Sequence, residues 1–356
     1  MALQVIELSG SPRQMGRAHG EQFRDAIHDF AARRLDACAQ QATSAGWPDP
    51  RADVLGFCES ALIEHERFAP AVYEEFRGIA EGADIGLDRL MMCNGLTDII
   101  DVFAAPPDPS AGCTAWLAAP EATADGFVLA GQTWDMHPWA EPFVVAFRRR
   151  PDDAPASVTL TTTGCLSLIG VNEAGIAVGN NNLQPTDARA GVMYLAIIHQ
   201  VLAQSSLASA VNVITTATRM SGHNYYLAGP DGEIVDVETT ATRSEVITPG
   251  GAIYAHSNHY LLPELAKLEA KDPDRSTLYR LERMGQLLHT RVGELTVESI
   301  IEAMSDRTGQ RDCRICRTDP ADPAGTCAAA ILSPQQGRVW AAQGAPSRNA
   351  LNPIDL

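Results

Sequence analysis

The amino-acid sequence predicts an α+β protein in which two antiparallel sheets pack together and are flanked by helices. Helical spacing of apolar residues dominates up to about residue 100, a β-rich pattern begins after residue 112, and pairs of helices then interrupt the strands. The 356 residues are 45% apolar, which is enough for a large core. We therefore expect residues 1–112 and 113–356 to share one globular domain.

The first part of the chain is predicted to be mainly helical. Ser11-Pro12 is a typical helix start, and Met15, Ala18, Phe23, Ile27 and Phe30 follow at near-helical spacing. Further helices are predicted at 54–65, 70–82 and 87–100. Residues 103–112 contain three prolines, which cannot continue a helix or lie in a central strand, so this segment is predicted to be an exposed loop.

The second part is predicted to alternate strands with helices. Asp125-Gly126 and Asp231-Gly232 are typical of hairpin turns. Helices are predicted at 192–203, 207–216, 261–268, 277–288 and 297–304. Strands are predicted at 113–119, 127–133, 143–147, 158–162, 176–179, 224–228, 234–238, 252–256, 328–332 and 338–342.

The composition argues against several classes of function. A net charge of −17 disfavours nucleic acid and anionic membranes as partners, because both require a basic surface. No targeting leader and no window of about 18 apolar residues is visible, so a cytoplasmic protein is expected. In that compartment the eight cysteines are expected to be mostly reduced core residues.

Gly112-Cys113, at the junction between the proline-rich loop and a strand, has a specific chemical possibility. Glycine lets the preceding peptide adopt unusual conformations, so the Cys113 sulfur could attack the Gly112 carbonyl. Hydrolysis of the resulting thioester would leave Cys113 as a new N-terminus, whose α-amine, with an ordinary pKa of about 7.7–8.0, can act as a base for the thiol. The alternative is a buried free cysteine.

Three polar segments are candidates for the rest of a site. Asp135 follows a strand that is expected to pair with the Cys113 strand. It could orient the free amine, hold a substrate ammonium or simply form a turn. Asn258, in His256-Ser257-Asn258-His259, could donate to an oxyanion. Asn180-Asn181-Asn182 could line a polar pocket or cap turns.

Two patterns would suit a metal, but neither is a closed zinc motif. His256 and His259 lack the helical arrangement and the nearby carboxylate of a typical zinc site, and Cys313-x-x-Cys316 lacks a second cysteine pair. We therefore expect neither a metal nor another cofactor.

Taken together, these segments resemble the acyl-coenzyme A:6-aminopenicillanic-acid acyltransferase family, a branch of the N-terminal-nucleophile (Ntn) hydrolases. Six segments are similar to the family's motifs and occur in the same order, although Thr133 stands where the family usually has Asn. The six segments are Gly10-Ser-Pro-Arg-Gln-Met-Gly16-Arg-Ala-His-Gly20, Gly112-Cys113-Thr114, Gly131-Gln-Thr-Trp-Asp135, Asn172-Glu-Ala-Gly175 through Asn182-Leu183, His256-Ser-Asn258-His259 and Ile315-Cys316-Arg317.

The resemblance implies a four-layer αββα sandwich and self-cleavage into an α fragment, 1–112, and a β fragment, 113–356, that form a heterodimer. It implies Cys113 as nucleophile, Asp135 as its helper and Asn258 as oxyanion donor. Arg317, His259 and Asn182 would contact the substrate. Members act on compact acyl amides, so the reaction type is better defined than the substrate.

Three functions are compatible with the sequence. The first is hydrolysis of a small N-acyl amide through a thioester. The second is transfer of the acyl group to an amine. The third is an unprocessed homologue that only binds a ligand, although the joint presence of Gly112, Cys113, Asp135 and Asn258 argues against it.

Overall fold

In the computed structural model, residues 3–103 and 112–356 are described, and within them the predicted αββα layering is confirmed. The helices are α1 (Pro12–Gln22), α2 (Arg24–Ser44), α3 (Pro50–Phe68), α4 (Pro70–Ala83), α5 (Leu87–Val102), α6 (Tyr194–Leu202), α7 (Leu207–Thr216), α8 (Pro263–Ala266), α9 (Arg275–His289) and α10 (Val297–Met304). All of the predicted helices are present, with α8 shorter than expected. The predicted loop at 103–112 lies mostly outside the described residues.

The strands form two sheets. They are β1 (Val5–Gly10), β2 (Gly112–Ala118), β3 (Leu129–Met136), β4 (Val144–Pro151), β5 (Ser157–Thr162), β6 (Ile169–Asn172), β7 (Ala177–Leu183), β8 (Gly222–Ala228), β9 (Ile234–Thr239), β10 (Ser244–Ile247), β11 (Ile253–His256), β12 (Gly325–Ser333), β13 (Arg338–Gln343) and β14 (Asn352–Asp355). The order is β1-β4-β5-β6-β7-β8-β9-β10 in one sheet and β11-β2-β3-β12-β13-β14 in the other.

The two sheets lie face to face between helical layers. β2 and β3 pack against β7 and β8, α6 and α7 cover the outer face of the eight-stranded sheet, and α9 covers β11 and β2. The main apolar core contains residues from both parts of the chain, such as Phe30 and Leu96 before the Gly112-Cys113 junction and Val178 and Tyr225 after it. A second core, with Trp116 and Met284, lies between the six-stranded sheet and α9.

One pairing differs from the prediction of purely antiparallel sheets. β1, which the sequence analysis did not identify, pairs in parallel with β4, and Val5 lies opposite Ala146. β1 is only 6 residues long and its partner is far away in sequence, so local periodicity does not reveal the pairing. The other strand pairs within the two sheets are antiparallel, as predicted.

The Gly10–Gly20 segment forms the closest helix crossing near the N-terminus. Gly16 and Gly20 of α1 face Gly78 and Gly82 of α4, and a Cβ added at Gly16 would lie 2.0 Å from the Glu75 carbonyl oxygen. Since a Cβ at Gly78 would lie 2.4 Å from the Arg13 carbonyl oxygen, the two backbones can approach only because these positions have no side chain. Part of this motif therefore has a packing role.

The hairpin of β2 and β3 places the junction next to Asp135. β2 and β3 are joined by residues 119–128, so Asp125-Gly126 does not form the tight hairpin that the sequence predicts. Gly126 has a φ of +73°, and the main-chain N–H of Phe127 donates to Asp125 Oδ1 at 3.2 Å. The register then sets Gly112 opposite Asp135 and Cys113 opposite Trp134. Asp135 lies inside β3, which corrects the alternative that it forms a turn after the strand.

Candidate active site

Cys113 is the second residue of a fully buried strand, at the end of β2 where the two sheets meet. Its side chain borders a cavity of about 20 Å³. Burial and the nearby Asp135 carboxylate raise the pKa of the thiol to about 12, although Arg280 and a hydrogen bond from the Asp135 main chain oppose this shift. In the uncleaved chain the thiol is therefore protonated at neutral pH and needs a base.

Asn258 and Arg280 hold the main chain of Cys113. The N–H of Cys113 donates to Asn258 Oδ1 at 2.9 Å, and Arg280 donates to that same oxygen at 2.9 Å. Arg280 also donates to the Cys113 carbonyl oxygen at 2.5 Å. These two donors fix the orientation of the Asn258 amide, whose Nδ2 donates to the Asn182 carbonyl at 3.0 Å.

Asp135 is a buried carboxylate with one oxygen paired and one unpaired. Thr326 donates to Oδ1 at 2.6 Å, whereas Oδ2 has no hydrogen-bond partner among residues 3–103 and 112–356. Burial raises the pKa of Asp135 to about 6, against the opposing effect of Arg317 and Arg280. Oδ2 lies 3.6 Å from where a Cβ would stand on Gly112, so the unpaired oxygen faces the junction.

A larger cavity of about 630 Å³ lies on the other side of Asn258. Asn182, Asn258, Arg280 and Arg317 are among the residues that line it, and Asn182 lines the small cavity as well. Arg317 is held by Asp322, which accepts from Nε at 3.0 Å, while its Nη1 lies 3.4 Å from the Cβ position of Gly112. Arg317 and Asn182, for which a substrate contact is predicted, thus both line the larger cavity.

His259 lies apart from these residues. It is not among the described residues that line either cavity, its Nδ1 lies 2.9 Å from Thr277 Oγ1, and burial lowers its pKa to about 4. His256 instead pairs with Glu238 at 2.9 Å. The two rings thus have different partners, and the described residues contain no group of three or more His, Cys, Asp or Glu side chains arranged to hold a metal.

The structure also shows the surroundings of the remaining sequence candidates. Thr133 donates to the Ile315 carbonyl at 3.2 Å, which links β3 to the Ile315-Cys316-Arg317 segment. Cys313 and Cys316 are free and buried, like the other six cysteines. The three asparagines lie inside β7 and do not cap a turn. No helix within 3–103 or 112–356 is both long and apolar enough to cross a membrane.

Sequence reasoning missed Arg280 and Thr326. In α9 the buried positions are Thr277, Arg280, Met284 and Leu288, so an arginine occupies the apolar stripe of this helix. A charged residue at such a position is rarely buried without a partner, and this was the available signal. No pattern in the sequence marked Thr326, because its contact with Asp135 depends on the bulge in β12 between Thr326 and Ala328.

The sequence has recognisable relatives. A family model described as acyl-coenzyme A:6-aminopenicillanic acid acyl-transferase matches residues 124–348, a segment that includes Asp135, Asn258 and Arg317 and begins after Cys113. The acyl-coenzyme A:6-aminopenicillanic-acid-acyltransferase 40 kDa form of Emericella nidulans is 24% identical over 293 residues, which cover 80% of this chain and 76% of that protein. An uncharacterized protein of Archaeoglobus fulgidus is 23% identical over 343 residues, covering 83% of this chain but only 56% of its own length.

Similar solved structures are more distant. The C2A mutant of the conjugated bile acid hydrolase from Clostridium perfringens is 14% identical with a TM-score of 0.47, and covers 68% of this chain and 92% of that one. Penicillin V acylase from Agrobacterium tumefaciens is 14% identical with a TM-score of 0.46, and covers 65% and 83%. Because the family model matches more than half of the sequence, the chain belongs to the acyl-coenzyme A:6-aminopenicillanic acid acyl-transferase family.

Proposed function

We propose that this protein is a self-processing cysteine amidohydrolase that cleaves a small N-acyl amide through a thioester on Cys113. The observation that carries the proposal is the geometry of the Gly112-Cys113 junction. The Cys113 N–H donates to Asn258 Oδ1 at 2.9 Å. An Asp135 carboxylate oxygen without a partner in the described part of the chain faces Gly112. The family membership supports acyl chemistry at this site.

In the proposed self-cleavage, the Cys113 sulfur attacks the Gly112 carbonyl carbon. The S–C bond forms, the C–N bond breaks and the proton of the Cys113 thiol passes to the Cys113 nitrogen. Water then hydrolyses the thioester, which leaves a carboxylate on Gly112 and a free α-amine on Cys113. Asp135, whose pKa of about 6 leaves it mostly ionised at neutral pH, is placed to stabilise the new ammonium.

In the proposed turnover, the α-amine takes the thiol proton and returns it to the departing amine of the substrate. Its ordinary pKa of about 7.7–8.0 suits this role near neutral pH, whereas the buried thiol cannot ionise unaided. The acyl group stays on sulfur until water releases it as an acid. We assign Asn258 Nδ2, Arg280 and Arg317, which lie around the Gly112-Cys113 junction, as donors to the charge that develops.

Acyl transfer is the second candidate, and the named activity of the Emericella nidulans relative favours it. In that reaction an amine, in place of water, captures the thioester. The two reactions are separated by adding a candidate amine during turnover and measuring whether an N-acyl product replaces the free acid. A protein that only binds ligand would give neither product.

The proposal is tested by denaturing gel and mass spectrometry of purified protein. We expect wild type to separate into fragments 1–112 and 113–356, and Cys113→Ala to remain one chain. Cys165→Ala is a matched control, because Cys165 is another free buried cysteine and should leave cleavage intact. A wild-type protein that turns over amides while intact would contradict self-processing.

A further inference from the structure

The small cavity beside Cys113 is lined by polar atoms that have no partner. Thr97 Oγ1, Asn180 Oδ1, Asn182 Oδ1 and Asp135 Oδ2 are all buried without a hydrogen bond among the described residues. Each such atom costs about 1–3 kcal/mol relative to a paired one, and native proteins rarely retain several together. In the proposed reaction, the new ammonium of Cys113 takes up Asp135 Oδ2. The two amide oxygens and the hydroxyl remain, and the group that would satisfy them is a hydrogen-bond donor.

A chain of hydrogen bonds orients one of these acceptors. His223 Nε2 lies 2.6 Å from Asp98 Oδ1, and Nδ1 of the same ring lies 3.2 Å from Asn180 Nδ2. When His223 donates to Asp98, its other nitrogen accepts from the Asn180 amide. The Asn180 oxygen is thereby turned away from His223. Tyr194 stacks on the His223 ring with centroids 4.3 Å apart, which limits rotation of the ring.

The acyl group of the substrate belongs in this small cavity, an assignment that rests on the proposed function. In a thioester the acyl carbon is bonded to the Cys113 sulfur, so its substituent must occupy space that Cys113 borders. Cys113 lines the small cavity, whereas the described lining of the larger one reaches Asn258 and Arg280 without it. The larger cavity is then available to the amine.

We propose that the enzyme selects a compact acyl group that carries a hydrogen-bond donor, a hydroxyl or an ammonium, next to its carbonyl. The volume of about 20 Å³ has room for about one water-sized group. Thr97, Asn180 and Asn182 are neutral and serve either donor. Asp135 lines the cavity, and Asp98 contacts His223, which also lines it, so the comparison of the two donors measures the influence of these two carboxylates.

The test measures acylation of Cys113 by the S-phenyl thioesters of glycolic acid, glycine and propionic acid, followed by intact-protein mass spectrometry. The mass gain counts the acyl group whether it stays on sulfur or moves to the new amine. Thioesters need no amide cleavage, so this result is independent of the proposed amidase activity. Failure to hydrolyse any amide would count against the proposed function, not against this inference.

Each rate of acylation is first divided by the rate at which the same thioester reacts with free cysteine. After this correction, we expect the cleaved wild-type protein to react faster with the glycolyl or glycyl thioester than with the propionyl thioester. Thr97→Val keeps the shape and removes one partner, so it should reduce this preference about three- to tenfold. Asn180→Ala should reduce it as well if Thr97→Val fails to fold. Thr163→Val removes an unpaired buried hydroxyl outside both cavities and should leave the preference unchanged. Three results would overturn the proposal. They are an equal preference in wild type and Thr97→Val, a preference for the propionyl thioester, and no acylation of Cys113.

Discussion

At the scale of single residues, Asn258 has two separable roles. Its oxygen accepts from the Cys113 N–H at 2.9 Å, and its nitrogen donates to the Asn182 carbonyl at 3.0 Å in the uncleaved chain. The predicted role as oxyanion donor therefore requires that Nδ2 exchange this partner for the substrate. The sequence did not predict the hydrogen bond from the Cys113 N–H to Asn258 Oδ1.

Substitutions at Asn258 should affect self-cleavage and turnover in opposite orders. Asn258→Asp keeps an acceptor for the Cys113 N–H, so we expect it to self-cleave faster than Asn258→Ala. Turnover should fall about 10²–10³-fold in Asn258→Ala, and further in Asn258→Asp because a carboxylate repels the oxyanion. The fragment yield over time gives the order for self-cleavage, and the kcat of the cleaved fraction gives the order for turnover. A lower melting temperature with normal kcat in both variants would indicate a purely structural role.

The ionised Asp135 carboxylate should lower the free energy of unfolding at neutral pH. Burial raises its pKa from 3.8 to about 6, so its stabilising contribution is complete below pH 3.8 and is lost as the pH rises through 6. In the uncleaved Cys113→Ala background, Asp135→Asn should gain about 3 kcal/mol at pH 8 and almost nothing at pH 4. Urea unfolding at both pH values measures the difference. A loss of stability at pH 8 would mean that Arg280 and Arg317 depend on the Asp135 charge.

Local sequence patterns identified residues that the structure brings together, but they did not identify contacts made by distant parts of the chain. Gly112, Cys113, Asp135 and Asn258 stand at ends of predicted strands, and the structure brings them together. Arg280 reaches Cys113 across 167 positions, which no local pattern encodes. The chemical roles of these residues remain predictions.

At the scale of elements, the crossing of α1 and α4 depends on glycine. Gly78→Ala would place a methyl group 2.4 Å from the Arg13 carbonyl oxygen, and overpacking of this kind typically costs about 1–3 kcal/mol. Gly285 in α9 has no heavy atom within 4 Å of its Cβ position, so Gly285→Ala should instead gain up to about 1 kcal/mol from helix propensity. Urea unfolding of both variants tests this, and equal effects would contradict the packing role.

Elements with a strong local period were predictable and the others were not. α1 to α5 and the hairpin of β2 and β3 follow apolar spacing and turn residues. β6 and the terminal β14, with 4 residues each, were not predicted, although β11, of the same length, was. Their positions are decided by neighbouring strands.

At the scale of the whole molecule, the two expected fragments are joined by buried polar contacts. Gly164 N donates to His19 at 2.9 Å, Asn94 donates to the Gly164 carbonyl at 2.8 Å, and Asp98 meets His223 at 2.6 Å. Separation of the fragments would expose these groups together with the shared apolar core.

We therefore expect residues 1–112 and 113–356 to co-elute in size-exclusion chromatography after cleavage and to separate only with denaturant. The same elution volume for cleaved wild type and uncleaved Cys113→Ala would support this expectation. Release of the first fragment in plain buffer would contradict it. Raising the salt concentration is a useful control, because buried apolar contacts should withstand it whereas exposed ion pairs weaken.

The position of the Cys113 contacts along the chain implies an order of events. Asn258 and Arg280 lie 145 and 167 positions after Cys113, and both reach it only when β11 has paired with β2 and α9 has docked. In the proposed reaction, the cut would act as a quality checkpoint during biogenesis. A ribosome-bound or misassembled chain would lack these contacts and would remain uncleaved. The Cys113 thiol would therefore become reactive only in molecules that have completed folding.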